Sequence, residues 1–174
     1  ESRRHIVDFA FAPDGSLSHL QLAVGDTRVI VHQYAPGLWR ALSLCDGTHE
    51  CRFLGTANGG RELLLESNLG GDLLVLQTLG ADGSLRTLHA DPRGESDLDE
   101  VVLDAQTNAP LLVAYRSSVP TLFGLRADVE PEAAAIDTLV DALAAFAVAR
   151  RQSGDATPPP KKTRRAPSTS RTAR

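Results

Sequence analysis

The chain has 174 residues, 42% of them apolar and 23% charged, with two cysteines, ten prolines and no methionine. That composition suits one ordinary globular domain or part of a larger protein, and it excludes a disulfide scaffold. A transmembrane helix is excluded too, because no apolar run approaches the ~20 residues needed. The net charge of −4 is split. Residues 152–174 carry six Lys/Arg against Asp155, a net +5, which leaves −9 on residues 1–151. An acidic body with a basic tail is not the pattern of a dedicated nucleic-acid binder, which carries its basic charge on the folded surface.

Residues 6–12 are strand-rich and stop at Pro13-Asp14-Gly15, a strong turn signal. From Leu17 to Val24, Leu20, Leu22 and Val24 alternate with His19, Gln21 and Ala23. Period two predicts a strand with one better-buried face. Gly25-Asp26 turns the chain into a β-branched run, Arg28 to Tyr34. Ala35-Pro36-Gly37 turns it again into Leu38 to Leu44. Four short antiparallel strands in about 40 residues match one β-propeller blade.

The same plan recurs twice. Arg52–Ala57, Glu62–Ser67, Leu73–Leu79 and Leu85–Ala90 are the strands of a second unit, punctuated by Asn58-Gly59-Gly60, Asn68 to Asp72 and Ala81-Asp82-Gly83-Ser84. A third unit holds Val101–Leu103, a turn from Asp104 to Pro110, Leu111–Tyr115 and Thr121–Leu125, and stops after three strands. The fold class expected is therefore mainly β: a partial propeller of about three four-stranded antiparallel blades over residues 1–130, with blades at about 3–46, 48–93 and 95–128. A meandering β-sandwich is the alternative. Residues 131–151 are expected to form an amphipathic helix. Its N-terminal turn is acidic with Pro131 near the first position, and Arg150-Arg151 lies at its C-terminal end. Ile136, Leu139, Val140, Leu143 and Phe146 share a face opposite Asp137 and Asp141, which marks a packing helix whose apolar face needs a partner. Residues 152–174 lack apolar periodicity and are expected to be disordered.

The third unit and its helix, from Asp97 onward, resemble the propeller of the prolyl oligopeptidase (S9) family of serine peptidases, in particular acylaminoacyl-peptidase-like and dipeptidyl-peptidase-like members. Val101, Val102, Leu103, Asp104, Thr107, Pro110, Val113, Ala114 and Tyr115 match the family's strand, Asp-x-x-Thr-Gly-x-Pro turn and Ala-Val-x-Tyr-like strand, and a helix from Glu132 follows. Phe11–Leu17 resembles the Phe-Ser-Pro-Asp-Gly turn common to many propellers. The resemblance spans about residues 3–148, with family-specific residues in its last third. Asn108 stands where the family has Gly, and Ser117-Ser118-Val119-Pro120 replaces an arginine-rich loop.

The resemblance implies a non-catalytic propeller portion of a serine peptidase that cleaves short peptides, with the propeller gating access. The family's hydrolase domain carries a Gly-x-Ser-x-Gly elbow; no such sequence occurs here, so the chain alone is expected to hydrolyse nothing. Absence of Met even at the start suggests a fragment or a processed product. The partners implied are the missing blades and the α/β-hydrolase domain, or a second copy joined through open blade edges. The alternative is a propeller-like interaction scaffold whose basic tail, Lys161-Lys162-Thr163-Arg164-Arg165 following Arg150-Arg151, binds a polyanion or partner or directs nuclear import.

No catalytic, cofactor or metal residue is assigned. Ser16 is a turn serine with no base in view. Cys45, His49 and Cys51 form C-x3-H-x-C, which matches no common zinc spacing; the two cysteines also suit a disulfide or two buried thiols. His5, His19, His32 and His89 are scattered, and Glu95, Asp97, Asp99 and Glu100 read as a solvated loop. Sparse cysteine favours a reducing, cytoplasmic setting.

Overall fold

A computed structural model describes residues 5–116 and 120–152. The described residues are mainly β, with three antiparallel sheets and one α-helix. The first sheet holds β1 (His5–Phe11), β2 (Leu17–Val24), β3 (Thr27–Ala35) and β4 (Leu38–Cys45). The second holds β5 (Cys51–Ala57), β6 (Glu62–Ser67), β7 (Val75–Gly80) and β8 (Leu85–His89), and the third β9 (Leu98–Leu103), β10 (Pro110–Tyr115) and β11 (Thr121–Gly124). In every sheet the strands lie side by side in chain order, as short hairpin turns require. The third sheet has three strands. The sequence's Ser117–Val119 loop and the tail from residue 153 lie outside the described residues.

The turns work through local chemistry. Asp14 accepts hydrogen bonds from the backbone N–H and hydroxyl of Ser16 (2.9 and 2.6 Å). Asp46 does the same for Thr48 (3.0 and 2.7 Å) and Asp82 for Ser84 (2.9 and 2.6 Å). One Asp-Gly-Ser/Thr device is thus used three times. Asn108 takes the left-handed conformation with φ 55°, which Asn tolerates where the resembled family places Gly.

The sheets pack through two apolar clusters. Ala10, Ile30 and Cys45 of the first sheet meet Cys51, Leu63, Leu65 and Leu79 of the second. Leu64 and Leu76 of the second meet Leu98, Val113 and Tyr115 of the third. Strand β6 therefore buries both faces, which is why its centre is three consecutive leucines, Leu63–Leu65, and not an alternation. The first strands of the first two sheets run close together: Asp8 accepts a hydrogen bond from the Phe53 N–H (3.1 Å) and Thr56 donates to the Phe11 carbonyl (2.8 Å).

The structure shows which face of β2 and of the helix is covered. In β2 the side covered by the second sheet is the polar one: His19 and Gln21 are buried, while Leu20, Leu22 and Val24 remain partly exposed. Pairing carries this through the sheet, so that Leu20, Leu22, Val24, Val29, Val31, Trp39 and Ala41 line an open apolar face with a shallow hollow of about 480 Å³. The helix α1 (Glu130–Gln152) repeats the pattern. It lies against β11 with Ala133 buried and Asp137 accepting a hydrogen bond from the Leu122 N–H (3.3 Å). Of the predicted apolar face, Ile136, Leu139, Leu143 and Phe146 stay exposed and Val140 is half-buried. Periodicity identifies an apolar face; it does not say which face the remaining chain covers.

Candidate functional site

A cleft of about 730 Å³ lies where the first two sheets meet, at the end marked by the β4–β5 connection. Asp8, Gln21, Asp26, Arg28, Asp46, His49, Glu50, Arg52 and Glu66 line it together with Cys45 and Cys51. Five carboxylates against two arginines make it acidic.

Its floor is covalent. Cys45 and Cys51 form a disulfide with Cα atoms 6.4 Å apart, joining the last strand of one sheet to the first strand of the next. Of the alternatives for C-x3-H-x-C, the structure contains the disulfide, and sulfurs joined in this way are not thiolate ligands. His49 turns instead to Asp46, with Nδ1 2.8 Å from Oδ1. The same carboxylate takes both Thr48 hydrogen bonds, and these, followed by the His49 contact, hold Asp46 down to about 2. No cluster of three or more metal-ligating side chains occurs among the described residues.

Glu66 is the acid of the cleft that burial perturbs upward. It sits opposite Arg52 in the β5–β6 ladder, with Oε2 2.6 Å from the guanidinium but off hydrogen-bond geometry. Burial raises its pKa; Arg52 opposes that, and Glu50 and Glu100 add to it. A half-desolvated carboxyl with a raised pKa can hold a proton or accept a cationic or amide group. Among the described residues that line the cleft there is no hydroxyl or free thiol.

Behind the cleft, His19 and His32 form a cross-strand pair with ring centroids 4.7 Å apart. Ser18 Oγ donates to the Gly60 carbonyl (2.6 Å) and lies 2.8 Å from His19 Nδ1. Its single proton being used, Ser18 must accept from His19, which fixes the Nδ1–H tautomer and leaves Nε2 buried and unpartnered. Burial, then the neighbouring His32, lowers the His19 pKa to about 4.

The other sequence candidates do not converge. Ser16 is held by Asp14, and His5 is exposed at the start of β1. His89 Nδ1 meets the Tyr115 hydroxyl at 2.7 Å, against the Phe123 ring. Asp97 accepts from the Leu74 N–H (2.9 Å), Asp99 accepts from Arg116 Nε (2.9 Å), and the Glu95 N–H donates to Asp91. These acids tie loops and strands together and do not face one another across a site. Arg150 lies over the Phe146 ring at 5.9 Å; the Arg151 side chain and Lys161 to Arg165 lie outside the described part of the structure. The sequence reading missed the His19–His32 pair, although its signal was present: both residues are equidistant from the Gly25-Asp26 turn, so a two-residue hairpin must set them opposite each other.

No protein-family model matches the chain, and no curated protein matches it.

Proposed function

We propose that this chain is a non-catalytic, partial β-propeller belonging to a prolyl-oligopeptidase-like serine peptidase, where it packs against further blades and gates short peptides. The observation that carries this reading is the open apolar face of the first sheet, Leu20, Leu22, Val29, Val31 and Trp39, on the side away from the second sheet. A sheet with apolar residues on both faces belongs between two neighbours. Chain-order meanders stacked face to face, with β1 beside β5, support the radial plan, in which first strands line a centre. The Asp104–Pro110 turn carries the family assignment.

Reading the DNA on both sides of the coding region tests this. Further four-stranded repeats and a Gly-x-Ser-x-Gly segment are expected, and unrelated sequence in every frame would overturn it. The purified chain should neither turn over acyl-peptide reporters nor take up a serine-directed fluorophosphonate; labelling at Ser16 would sink the non-catalytic assignment.

A cytoplasmic setting belongs to the same proposal. No helix among the described residues is long and apolar enough to cross a membrane. In a reducing cytoplasm Cys45 and Cys51 should be recovered as alkylatable thiols, and their recovery as a disulfide from freshly quenched cells speaks against that location. The second reading, an interaction scaffold, is favoured by the contrast between the acidic body and the basic 152–174 segment; it requires partner capture that is lost when that segment is deleted.

A further inference from the structure

We propose that α1 is a self-association helix, pairing antiparallel with α1 of a second copy through Ile136, Leu139, Leu143 and Phe146. These side chains are 45–60% exposed, although the same helix is docked on β11 through its neighbouring face, Ala133 and Asp137. The spacing of the four is three, four, three. That is the a/d seam of a coiled coil and not the broader stripe of a helix lying on a sheet.

The sequence of α1 is complementary to itself, so the occupant this face fits is a second copy of the chain. Ile136 and Phe146 stand five residues either side of Asp141, and Leu139 and Leu143 two either side. An antiparallel partner on a two-fold axis through Asp141 thus sets Ile136 on Phe146 and Leu139 on Leu143, twice over, as an isologous interface requires. The same axis relates Glu132 to Arg150, each nine residues from Asp141. The acidic first turn of one helix meets the basic last turn of the other, at both ends. Antiparallel packing also cancels the two helix dipoles. Ala135, Ala142 and Ala149 flank the seam on one side, small enough to allow an interaxial distance near 8 Å. A parallel pair would instead bring like charges together at each end. The inference does not depend on the propeller reading, since it uses α1 alone.

Sedimentation velocity on the full chain across a concentration series tests it. A monomer–dimer equilibrium with a plateau at two copies is expected. Leu139→Asp/Leu143→Asp, which alters only exposed positions, should weaken it by roughly a hundredfold or more, with an unchanged circular dichroism spectrum. Glu132→Arg and Arg150→Glu should each weaken the dimer about tenfold, and the double exchange should restore it. Within one helix these positions are about 27 Å apart, so recovery in the double variant arises only between copies. Leu22→Lys, on the open face of the first sheet, should leave the dimer intact. A monomer throughout, a mass that climbs past two copies without a plateau, a dimer that survives Leu139→Asp/Leu143→Asp, dissociation by Leu22→Lys, or no recovery in the double exchange would each overturn the proposal.

Discussion

His19 and His32 face each other across the β2–β3 ladder with ring centroids 4.7 Å apart, and His19 has no exposed surface. Its tautomer is set by a chain from Nδ1–H through Ser18 Oγ to the Gly60 carbonyl of the second sheet. A buried imidazole so fixed in the neutral form links the contact between two sheets to pH.

The sign follows from the folded pKa of about 4 against the ordinary 6.5. The unfolded chain takes up a proton first as pH falls, so the contribution of His19 is complete above about 6.5 and is lost progressively down to about 4. The whole shift corresponds to roughly 3 kcal/mol. Urea unfolding at pH 7.5, 5.5 and 4.5 should show falling stability. His19→Asn, which retains a donor towards Ser18 and does not titrate, should flatten much of that fall. An unchanged slope would place the acid sensitivity elsewhere.

The second prediction concerns Gly60, which lies close against Ala12 and Ser18 on the first sheet's side. Its φ of 88° is left-handed, and an added Cβ would lie 2.5 Å from Ala12 Cβ. Gly60→Ala therefore combines about 1–2 kcal/mol of backbone cost with a clash between two backbone-anchored atoms. A loss of several kcal/mol is expected by thermal or chemical denaturation. Gly59→Ala, next in sequence with a similar φ of 67° but nothing within 4 Å of its Cβ, should cost the backbone share alone. Equal losses in the two variants would rule out the close contact.

Much of this architecture could be read before the structure. Turn chemistry gave most strand limits; β2 and β6 coincide with their apolar patterns, and Asn108 adopts the backbone its neighbours require. Strand β7 begins at Val75 and not at Leu73, because the backbone of Leu74 is engaged by the third sheet, donating to Asp97 and accepting from Leu98. That is a tertiary contact with no local signature. Which faces of β2 and α1 are covered was not legible, for one reason. Alternation marks Leu20, Leu22 and Val24, and Ile136, Leu139 and Leu143, as surfaces that favour cover, whereas cover depends on which neighbours exist. The cleft was illegible because Asp8, Gln21 and Glu66 meet only when sheets far apart in sequence are stacked.

The disulfide gives a third prediction. Cys45 and Cys51 are six residues apart, so closing so short a loop restricts the unfolded chain modestly, by about 2 kcal/mol on the chain-entropy account. Cys45→Ser/Cys51→Ser, or reduction, should lower stability by about that amount and leave the β-sheet circular dichroism unchanged. The Asp46–His49 loop between them should then exchange its amides faster, since its anchoring to the cleft floor is gone. Collapse of the fold on reduction would mean that the first two sheets are held mainly by the bond, contrary to the shared cluster of Ala10, Ile30, Leu63, Leu65 and Leu79.

The fourth prediction tests how the third sheet is fastened. Tyr115 is fully buried, and its hydroxyl meets His89 Nδ1 at 2.7 Å across the boundary between β10 and β8. Burial lowers the His89 pKa, opposed by Asp91 and Glu130, and burial raises that of Tyr115. The two groups are thus a neutral pair near pH 7. Tyr115→Phe keeps the ring and its packing on Phe123 but leaves the imidazole nitrogen without that partner, at a cost of about 1–3 kcal/mol. Tyr115→Phe/His89→Phe removes both polar groups, and should recover part of the loss if the contact is a hydrogen bond between these two side chains. Additive losses in the double variant would show that each side chain acts alone and that the third sheet is held by its apolar cluster, Leu64, Leu76, Leu98 and Val113.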